Sequence, residues 1–391
     1  MTPGGRTVRR ADVDTVIYGD GCLLDDPVAA IRELAGLKRP RVAIVCTARL
    51  AAGDLTSRLS AGLETAVLVA APHAPWPWLR ETAAAFTASP PDVVLGYGSG
   101  AAIDSAKLLR EQAVRHASTA ADLVSAVAQD HAPDRARPLL VAVPTTLSGA
   151  AFTCSAGVTV HGSGNASRKL VAKAPALAAD AAMLDPGLCS AAASDVWVST
   201  GFKAVEHAVE SIYSPAANVV TTTLCGQGLR LLAQSLRVGD SRTSEQALDC
   251  LLASWLVLLG RGNITFGPSH AIGHQLGGVL GVRHGLTAAA VLPSVMRLTE
   301  QHVAPQQRAA VDAAGLDAEP GREDRRPWEA IQAWAQRLGL PASVRELGVD
   351  PGELKALAPA VAADMSRESG TAWLDRIGGG DGVARLLEDV W

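Results

Sequence analysis

The chain has 391 residues, which is enough for two ordinary domains or one large two-lobed body. Hydrophobic residues make up 48% and charged residues 19%, a balance that excludes an intrinsically disordered chain. The 35 basic and 39 acidic residues give a net charge of −4 and are interspersed, so the sequence also excludes the basic footprint of a nucleic-acid-binding protein.

The first half of the chain alternates short β-rich runs with helical stretches, from residue 13 to about residue 186. The apolar runs lie within VDTVIYGDG, RVAIVCT, TAVLVA, DVVLGYGSG, PLLVAVPTT and AAMLDP. Apolar runs of about four to eight residues, separated by helical patterns, are typical of parallel strands that are covered on both faces. The sequence therefore predicts an α/β, Rossmann-like domain with a parallel sheet over residues 1–187.

The end of the second predicted strand bears on the choice of cofactor. In NAD-binding sheets an acidic residue usually lies here and binds the ribose 2′-hydroxyl. This chain has Thr47 and, two residues later, Arg49. Such a site has room for a 2′-phosphate, so the sequence leaves both NADH and NADPH open, with Thr47 as a candidate contact.

The fourth predicted strand runs into glycines and then into a helix, in VVLGYGSGAAIDSAK at residues 93–107. Gly96, Gly98 and Gly100 lack a Cβ atom, so the backbone can approach a phosphate, and the helix start offers its N–H groups. The alternative is a plain tight turn, because the spacing is G-x-G-x-G rather than G-x-G-x-x-G. Asp104 would then only stabilise the helix dipole. The candidate cofactor contacts in this segment are Gly98, Ser99, Gly100 and Asp104.

The loop after the fifth predicted strand, VPTTLSGAAFT at residues 143–153, is rich in hydroxyl groups. Such side chains suit a ribose, a phosphate or a nicotinamide amide, although hydroxyl-rich loops are also common without any ligand. The candidate cofactor contacts here are Thr145, Thr146, Ser148 and Thr153.

Strand signals stop after LDPGLCSAAASD at residues 184–195, and nearly everything up to Trp391 shows a helical pattern broken by Gly and Pro. This change of period predicts an all-helical second domain over residues 188–391. Within it, the charged stretch at residues 316–328 is predicted to be a surface loop between helices.

One predicted helix contains STGFKAVEHAVES, residues 199–211. Its predicted buried stripe consists of Phe202, Val205, Val209 and Ile212. Lys203, His207 and Glu210 lie on an adjacent face of the same helix. The neutral interpretation of Lys203 is a solvated helix ion pair with Glu206.

Three of the nine histidines fall within GPSHAIGHQLGGVLGVRHG at residues 267–285. A Pro-Ser pair starts a helix here, so His270 and His274 project from one face a turn apart, and His284 follows a Gly-rich bend that can fold it back. Together with His207, they predict a metal or catalytic pocket. An alanine replaces the glutamate of the H-E-x-x-H motif, which disfavours zinc peptidase chemistry.

The six cysteines are scattered and form no C-x-x-C pair, a pattern typical of a reducing compartment. The N-terminal segment has no apolar stretch of the kind found in signal peptides, and the longest strongly apolar run, residues 251–260, is half a membrane span. We therefore expect a cytoplasmic protein with neither a membrane nor a nucleic-acid partner.

Taken in order, several segments resemble the iron-containing alcohol dehydrogenase superfamily and, within it, the maleylacetate reductase branch. They are IYGDG, GSGAAIDSAK, PTTLSGAAFT, LDPGL, GFKAVEHAVESIYSPAANVVTT and HAIGHQLGG…RHG…AVLP. This resemblance spans nearly the whole chain. It implies the architecture shared with dehydroquinate synthase, an NADH or NADPH cofactor, a homodimer and hydride transfer to a carbonyl.

The resemblance also implies a metal-ligand pattern from which this chain departs. Metal-dependent relatives hold their ion with one Asp and three His; His207, His270 and His284 stand at the His positions, and His274 lines the substrate side. Lys203 stands at the Asp position. A cation about 4 Å from a divalent ion is repelled by roughly 8 kcal/mol at an effective dielectric of about 20. The maleylacetate reductase branch lacks this Asp as well and works without metal, so no divalent metal is expected.

The sequence thus predicts an NAD(P)H-dependent reductase of a carbonyl or enone in a small carboxylic acid. Lys203 polarises the substrate carbonyl or holds a carboxylate, and His274 or His207 supplies the proton. His270 and His284 complete the predicted catalytic set. The alternatives are a metal-dependent alcohol dehydrogenase, a non-redox cyclase or lyase that retains NAD, as dehydroquinate synthase does, and a pseudoenzyme that binds a nucleotide without turnover.

Overall fold

The computed structural model describes residues 6–9, 13–71, 74–129, 136–161, 167–261, 267–316, 325–369 and 372–391. It divides the chain into two compact units, residues 1–192 and residues 193–391. Most of the predicted surface loop at residues 316–328 lies outside the described residues. No described helix is both long and apolar enough to span a membrane.

The first unit is built on a seven-stranded sheet and a separate two-stranded hairpin. The strands are β1 (Arg6–Arg9), β2 (Thr15–Tyr18), β3 (Arg41–Cys46), β4 (Glu64–Val69), β5 (Val93–Gly98), β6 (Leu139–Pro144), β7 (Ser155–His161), β8 (Ser167–Lys173) and β9 (Ala181–Leu184). The order in the large sheet is β1-β2-β9-β6-β5-β3-β4. Six of its strands are parallel and β1 is antiparallel to β2, so the predicted parallel sheet is confirmed.

The sheet owes its stability to apolar strands in its centre. Every residue of β5 is buried, and β3 is buried from its second residue onward, because both strands are covered on both faces. The edge strand β4 is largely exposed. The strand order reverses at β3, which pairs with β4 on one side and β5 on the other. In doubly wound sheets, ligands bind at the carboxyl ends of the strands beside such a reversal.

Helices lie between the strands of the first unit, and the helix at residues 120–128 has no counterpart in the sequence prediction. They are α1 (Pro27–Ala35), α2 (Ala48–Ala51), α3 (Asp54–Gly62), α4 (Trp76–Ala88), α5 (Gly100–Arg115) and α6 (Ala120–Ala128). The stretch after β3 that reads as one helix forms two, because the chain leaves the helical conformation at Gly53, whose backbone is extended. The antiparallel hairpin β7–β8 has no counterpart among the predicted strands.

All regular structure in the described part of the second unit is helical, as the sequence predicts. Its α-helices are α7 (Ser194–Tyr213), α8 (Val219–Ser235), α9 (Ser244–Arg261), α10 (Pro268–Leu280), α11 (His284–Ala314), α12 (Pro327–Arg337), α13 (Pro351–Ala356), α14 (Ala358–Ser369), α15 (Ala372–Ile377) and α16 (Gly379–Val390). From residue 201 to residue 213, α7 is buried on every face. It packs against α8, α9, α10 and α11, which makes it the central helix of the unit.

Candidate active site

In the first unit, three predicted cofactor segments meet at the carboxyl ends of β3, β5 and β6. The Thr145 amide donates to the Gly98 carbonyl oxygen at 2.9 Å, which ties the end of β6 to the end of β5. A Cβ atom built on Gly100 would lie 2.7 Å from the Ser148 hydroxyl oxygen. One built on Gly98 would lie 4.0 Å from the Thr47 methyl carbon. The structure therefore brings together contacts that the sequence places about 100 residues apart.

The backbone at this meeting point suits a phosphate group. Gly98 has φ +134°, a conformation that side chains rarely adopt, and it turns the chain directly into α5. Ser99 precedes that helix and makes no side-chain capping hydrogen bond, so the first N–H groups of α5 keep their capacity for an anionic oxygen. Gly96 has a different role from the predicted one, because a Cβ atom there would meet Ala106 of α5 at 3.0 Å.

The loop after β6 is held by a buried lysine that sequence reasoning left out of the candidate set. Lys107 is fully buried, and its ammonium donates to the backbone oxygens of Ala150, Thr153 and Ser155 at 2.6, 2.7 and 3.1 Å. Burial lowers the pKa of Lys107 to about 8, and the Asp104 carboxylate 4.0 Å away opposes that shift. Burial likewise raises the pKa of Asp104.

Two of the hydroxyl groups in this loop differ in their availability to a ligand. The Thr153 hydroxyl oxygen lies 3.2 Å from the Lys107 nitrogen, so it takes part in fixing the loop. The Thr146 hydroxyl is buried and has no hydrogen-bond partner among the described residues. An unpartnered buried hydroxyl is costly, and a bound polar ligand would satisfy it. The first unit therefore fits a dinucleotide.

In the second unit, the structure brings three of the four predicted histidines together. The His207 ring on α7 lies 5.5 Å, centroid to centroid, from the His270 ring on α10. His270 and His274 stack one helical turn apart, with centroids at 6.3 Å and an interplanar angle of 10°. His284 begins α11, but its side chain lies outside the described part of the chain.

Lys203 lies beside this cluster and forms the ion pair that the neutral interpretation expects. Its ammonium contacts a carboxylate oxygen of Glu206, one turn further along α7. The expectation that this pair is solvated is wrong, since Lys203 is 9% exposed and Glu206 is 0% exposed. The other Glu206 oxygen accepts the Ser269 hydroxyl at 2.5 Å. The pair is buried because α7 is covered on all sides.

Glu210 fixes the start of α10 and with it the position of His270. Its carboxylate accepts the backbone amides of Gly267, Ser269 and His270 at 3.1, 2.8 and 3.1 Å, and the Tyr213 hydroxyl at 2.9 Å. Burial and, next, the neighbouring Glu206 carboxylate raise the pKa of Glu210 to about 7, although these hydrogen bonds act in the opposite direction. The sequence places Glu210 on the right face of α7 but gives no sign of this capping role.

Sequence reasoning missed a carboxylate that contacts His274. Asp364 on α14 is 5% exposed, and one of its oxygens lies 2.9 Å from His274 Nδ1. The amide group of Gln275 donates to the same oxygen, and the Arg367 guanidinium pairs with the other. Ninety positions separate Asp364 from His274, so no local pattern could have linked them.

The cluster contains a set of metal-ligand atoms, but its carboxylate is already engaged. Ligand atoms of Glu206, His207 and His270 all lie within 4.8 Å of one another. However, the two Glu206 oxygens are occupied by Lys203 and Ser269. A divalent cation would have to displace the Lys203 ammonium and then remain next to it, and their mutual repulsion opposes this. As folded, these residues do not fit a divalent cation.

Two family models match the chain over consecutive segments. The model for iron-containing alcohol dehydrogenase matches residues 14–186, and the model for the C-terminal part of the Fe-containing alcohol dehydrogenase family matches residues 197–371. The chain belongs to the iron-containing alcohol dehydrogenase family. The resemblance seen in the sequence is thereby confirmed.

Similarity to individual proteins agrees with this assignment. The chain is 29% identical to "Dehydrogenase ALT3" of Alternaria alternata over 75% of its own length and 83% of that protein. It is 25% identical to "Maleylacetate reductase 1" of Cupriavidus pinatubonensis over 87% and 86% of the two chains. These relatives are a dehydrogenase and a reductase, so this family member is an oxidoreductase.

Solved structures share the fold. A 1,3-propanediol oxidoreductase superposes with a TM-score of 0.80 at 22% identity, covering 96% of this chain and 97% of the other. The maleylacetate reductase from Agrobacterium tumefaciens superposes with a TM-score of 0.76 at 21% identity, covering 100% and 99%. The predicted architecture, a Rossmann-like part followed by a helical part, is confirmed.

Proposed function

We propose that this family member is a metal-independent, NAD(P)H-dependent reductase that acts on a carbonyl or enone of a small carboxylic acid, as maleylacetate reductases do. The observation that carries the proposal is the buried Lys203–Glu206 pair beside His207 and His270. The Lys203 ammonium of this pair stands where metal-dependent members of the family have an anionic ligand. The similarity to maleylacetate reductases, at 25% and 27% identity, supports the substrate class.

Lys203 has the donors that this role requires. An ammonium group carries three N–H donors, and one of them is used by Glu206. No second hydrogen bond of Lys203 is formed with the described residues, which leaves two donors for a substrate oxygen. A preorganised donor in a buried site stabilises the negative charge that develops on that oxygen in the transition state.

The cofactor belongs to the first unit in this proposal. The backbone around Gly98 and Gly100, the α5 start and the Thr146 hydroxyl would hold a dinucleotide. When bound, NADH or NADPH supplies a hydride to the electrophilic carbon of the substrate. Lys203 then holds the substrate oxygen, and a histidine of the cluster supplies the proton that completes the reduction.

Replacing Lys203 tests this role directly. Lys203→Ala should lower kcat about 100- to 1000-fold, because a buried oxyanion donor is typically worth this much. Lys355→Ala is the matched control, since that lysine lies on the surface, on α13, and pairs with Glu388; it should leave kcat unchanged. The assays measure oxidation of NADH and of NADPH with maleylacetate and with simple aldehydes.

Metal content decides between this proposal and the metal-dependent alternative. The purified protein should contain less than stoichiometric iron and zinc by elemental analysis, and chelators should not change its rate. Lys203→Asp restores the anionic ligand of the metal-dependent family members and should create activity that requires added Fe²⁺ or Zn²⁺. Full occupancy by a divalent metal in the unaltered protein, with loss of activity on chelation, would refute metal independence.

A further inference from the structure

The second unit contains a histidine–carboxylate pair that distinguishes one histidine of the cluster from the others. His274 Nδ1 lies 2.9 Å from a carboxylate oxygen of Asp364. The His274 side chain is 45% exposed, whereas Asp364 is almost completely buried. The pair therefore combines an accessible imidazole with an inaccessible anion.

The surroundings of Asp364 keep it an acceptor. Gln275 donates its amide to the oxygen that contacts His274, and Arg367 pairs with the other oxygen. A carboxylate with donors on both oxygens has no proton to offer, so the hydrogen bond to His274 must come from an Nδ1–H group. This fixes the neutral imidazole in its Nδ1–H tautomer, so the proton that His274 gains and loses is the one on Nε2, on the opposite side of the ring.

His207 differs from His274 in its exposure to solvent. It is 9% exposed, and its ring is tilted against His270 inside the unit. A group that passes a proton to a substrate and then recovers one from solvent needs access to both. The exposed ring of His274 meets the solvent part of this condition, and the buried ring of His207 does not.

We propose that His274 donates the proton of the reduction from Nε2 of its imidazolium form, which leaves the neutral Nδ1–H tautomer to be reprotonated from solvent. Asp364 is its positioning residue, which orients the ring and keeps a proton on Nδ1. This inference rests on the proposed function for the activity of His274, and it adds a residue 90 positions away that no motif indicates. Carboxylates that hold a catalytic or metal-bound imidazole in this way commonly contribute about 10- to 100-fold to activity.

The first test measures the tautomer and does not require turnover. Protein labelled with ¹⁵N at its nine histidines gives imidazole nitrogen signals, and His274→Ala identifies those of residue 274. At a pH where the His274 imidazole is neutral, we expect its Nδ1–H form in the unaltered protein and a mixture of tautomers in Asp364→Asn. A dominant Nε2–H form in the unaltered protein would overturn the proposal, whatever substrate the enzyme uses.

The second test uses turnover to separate positioning from a purely structural role. Asp364→Asn should lower kcat about 10- to 100-fold, with a smaller change in KM and no change in cofactor affinity. In a His274→Ala background the same substitution should lower kcat no further, since the two residues act as one unit. Equal losses in both backgrounds, or full activity of His274→Ala, would overturn it.

A third variant covers the case in which Asp364→Asn does not fold. Asp364→Glu keeps the charge and the partners on α14 but moves the carboxylate by one methylene. It should retain the Nδ1–H tautomer and recover part of kcat. Failure to do either, in a variant whose thermal unfolding matches that of the unaltered protein, contradicts a role for Asp364 in positioning His274.

Discussion

At the scale of single residues, α7 carries two buried carboxylates one turn apart that have different tasks. Glu206 neutralises Lys203, while Glu210 binds the backbone amides that open α10. Each carboxylate is stabilised by donors that the other lacks. The helix therefore accommodates two buried carboxyl groups at short distance because each has its own set of donors.

The titration of Glu210 gives a prediction for stability. Its pKa is raised from 4.5 to about 7 in the folded chain, so the native state holds this proton more tightly than the unfolded state does. The contribution of the bound proton to the free energy of unfolding is fully present below pH 4.5 and is lost as the pH rises through about 7. This loss amounts to roughly 3 kcal/mol. Unfolding of the unaltered protein and of Glu210→Gln, measured by denaturant titration from pH 5 to pH 8, should show this loss only in the former. Parallel curves for the two proteins would contradict it.

The sequence predicts some residues of the helical cluster and not others, for a physical reason. His270 and His274 are predicted because a four-residue spacing on one helix fixes their shared face. Asp364 and the capping role of Glu210 depend on contacts between distant segments, which no local pattern encodes. The burial of Lys203 is also invisible locally, because it follows from the helices that surround α7.

At the scale of elements, close approach of α7 and α11 depends on a small residue. A Cβ atom built on Gly285, in the first turn of α11, would lie 2.5 Å from the backbone carbonyl carbon and oxygen of Ser199. Backbone atoms cannot rotate away as a side chain can. The two helices meet at this point because residue 285 has no side chain.

Two glycine substitutions should therefore have opposite effects on stability. Gly285→Ala forces α7 and α11 apart and should lower the free energy of unfolding by about 1–3 kcal/mol. Gly278→Ala, in α10, meets no atom within 4 Å and should raise it by about 0.5–1 kcal/mol through helix propensity. Thermal and denaturant unfolding of both variants measures the difference. Equal stability of the two variants would rule out the close-packing explanation.

Elements were predicted best where an apolar run is long and buried. The central strands β3, β5 and β6 follow from such runs, whereas the edge strand β4 is predicted by its apolar residues although most of it is exposed. The strand β1, with the sequence RTVR, has a single apolar residue and therefore no recognisable period. In β7, Ala156 and Val158 alternate with small or polar residues over too short a stretch to be told from a loop.

At the scale of the whole molecule, cofactor binding and substrate chemistry are assigned to different units. The dinucleotide contacts are proposed for residues 1–192 and the reacting side chains for residues 193–391. This separation is testable without knowledge of the natural substrate. The expected homodimer stays a prediction.

Only substitutions in the first unit should change the affinity for NADH and NADPH, which is measured by fluorescence titration. Gly100→Ala places a methyl group 2.7 Å from the Ser148 hydroxyl oxygen and should weaken both cofactors about 10- to 100-fold, since overpacking costs about 1–3 kcal/mol. Lys203→Ala should leave both dissociation constants unchanged while lowering kcat about 100- to 1000-fold. A comparable loss of affinity in Lys203→Ala would show that the assignment to separate units is mistaken.

Lys107 orders the loop that is proposed to bind the nucleotide. Its ammonium donates to the peptide oxygens of Ala150 and Thr153 in the loop and of Ser155 at the start of β7, so a single side chain cross-links this segment. The loop is therefore already ordered before any ligand arrives, and association need not include the entropy of arranging it. Encounter with the dinucleotide then resembles rigid docking, with a rate set by diffusion and orientation rather than by a slow rearrangement of the loop.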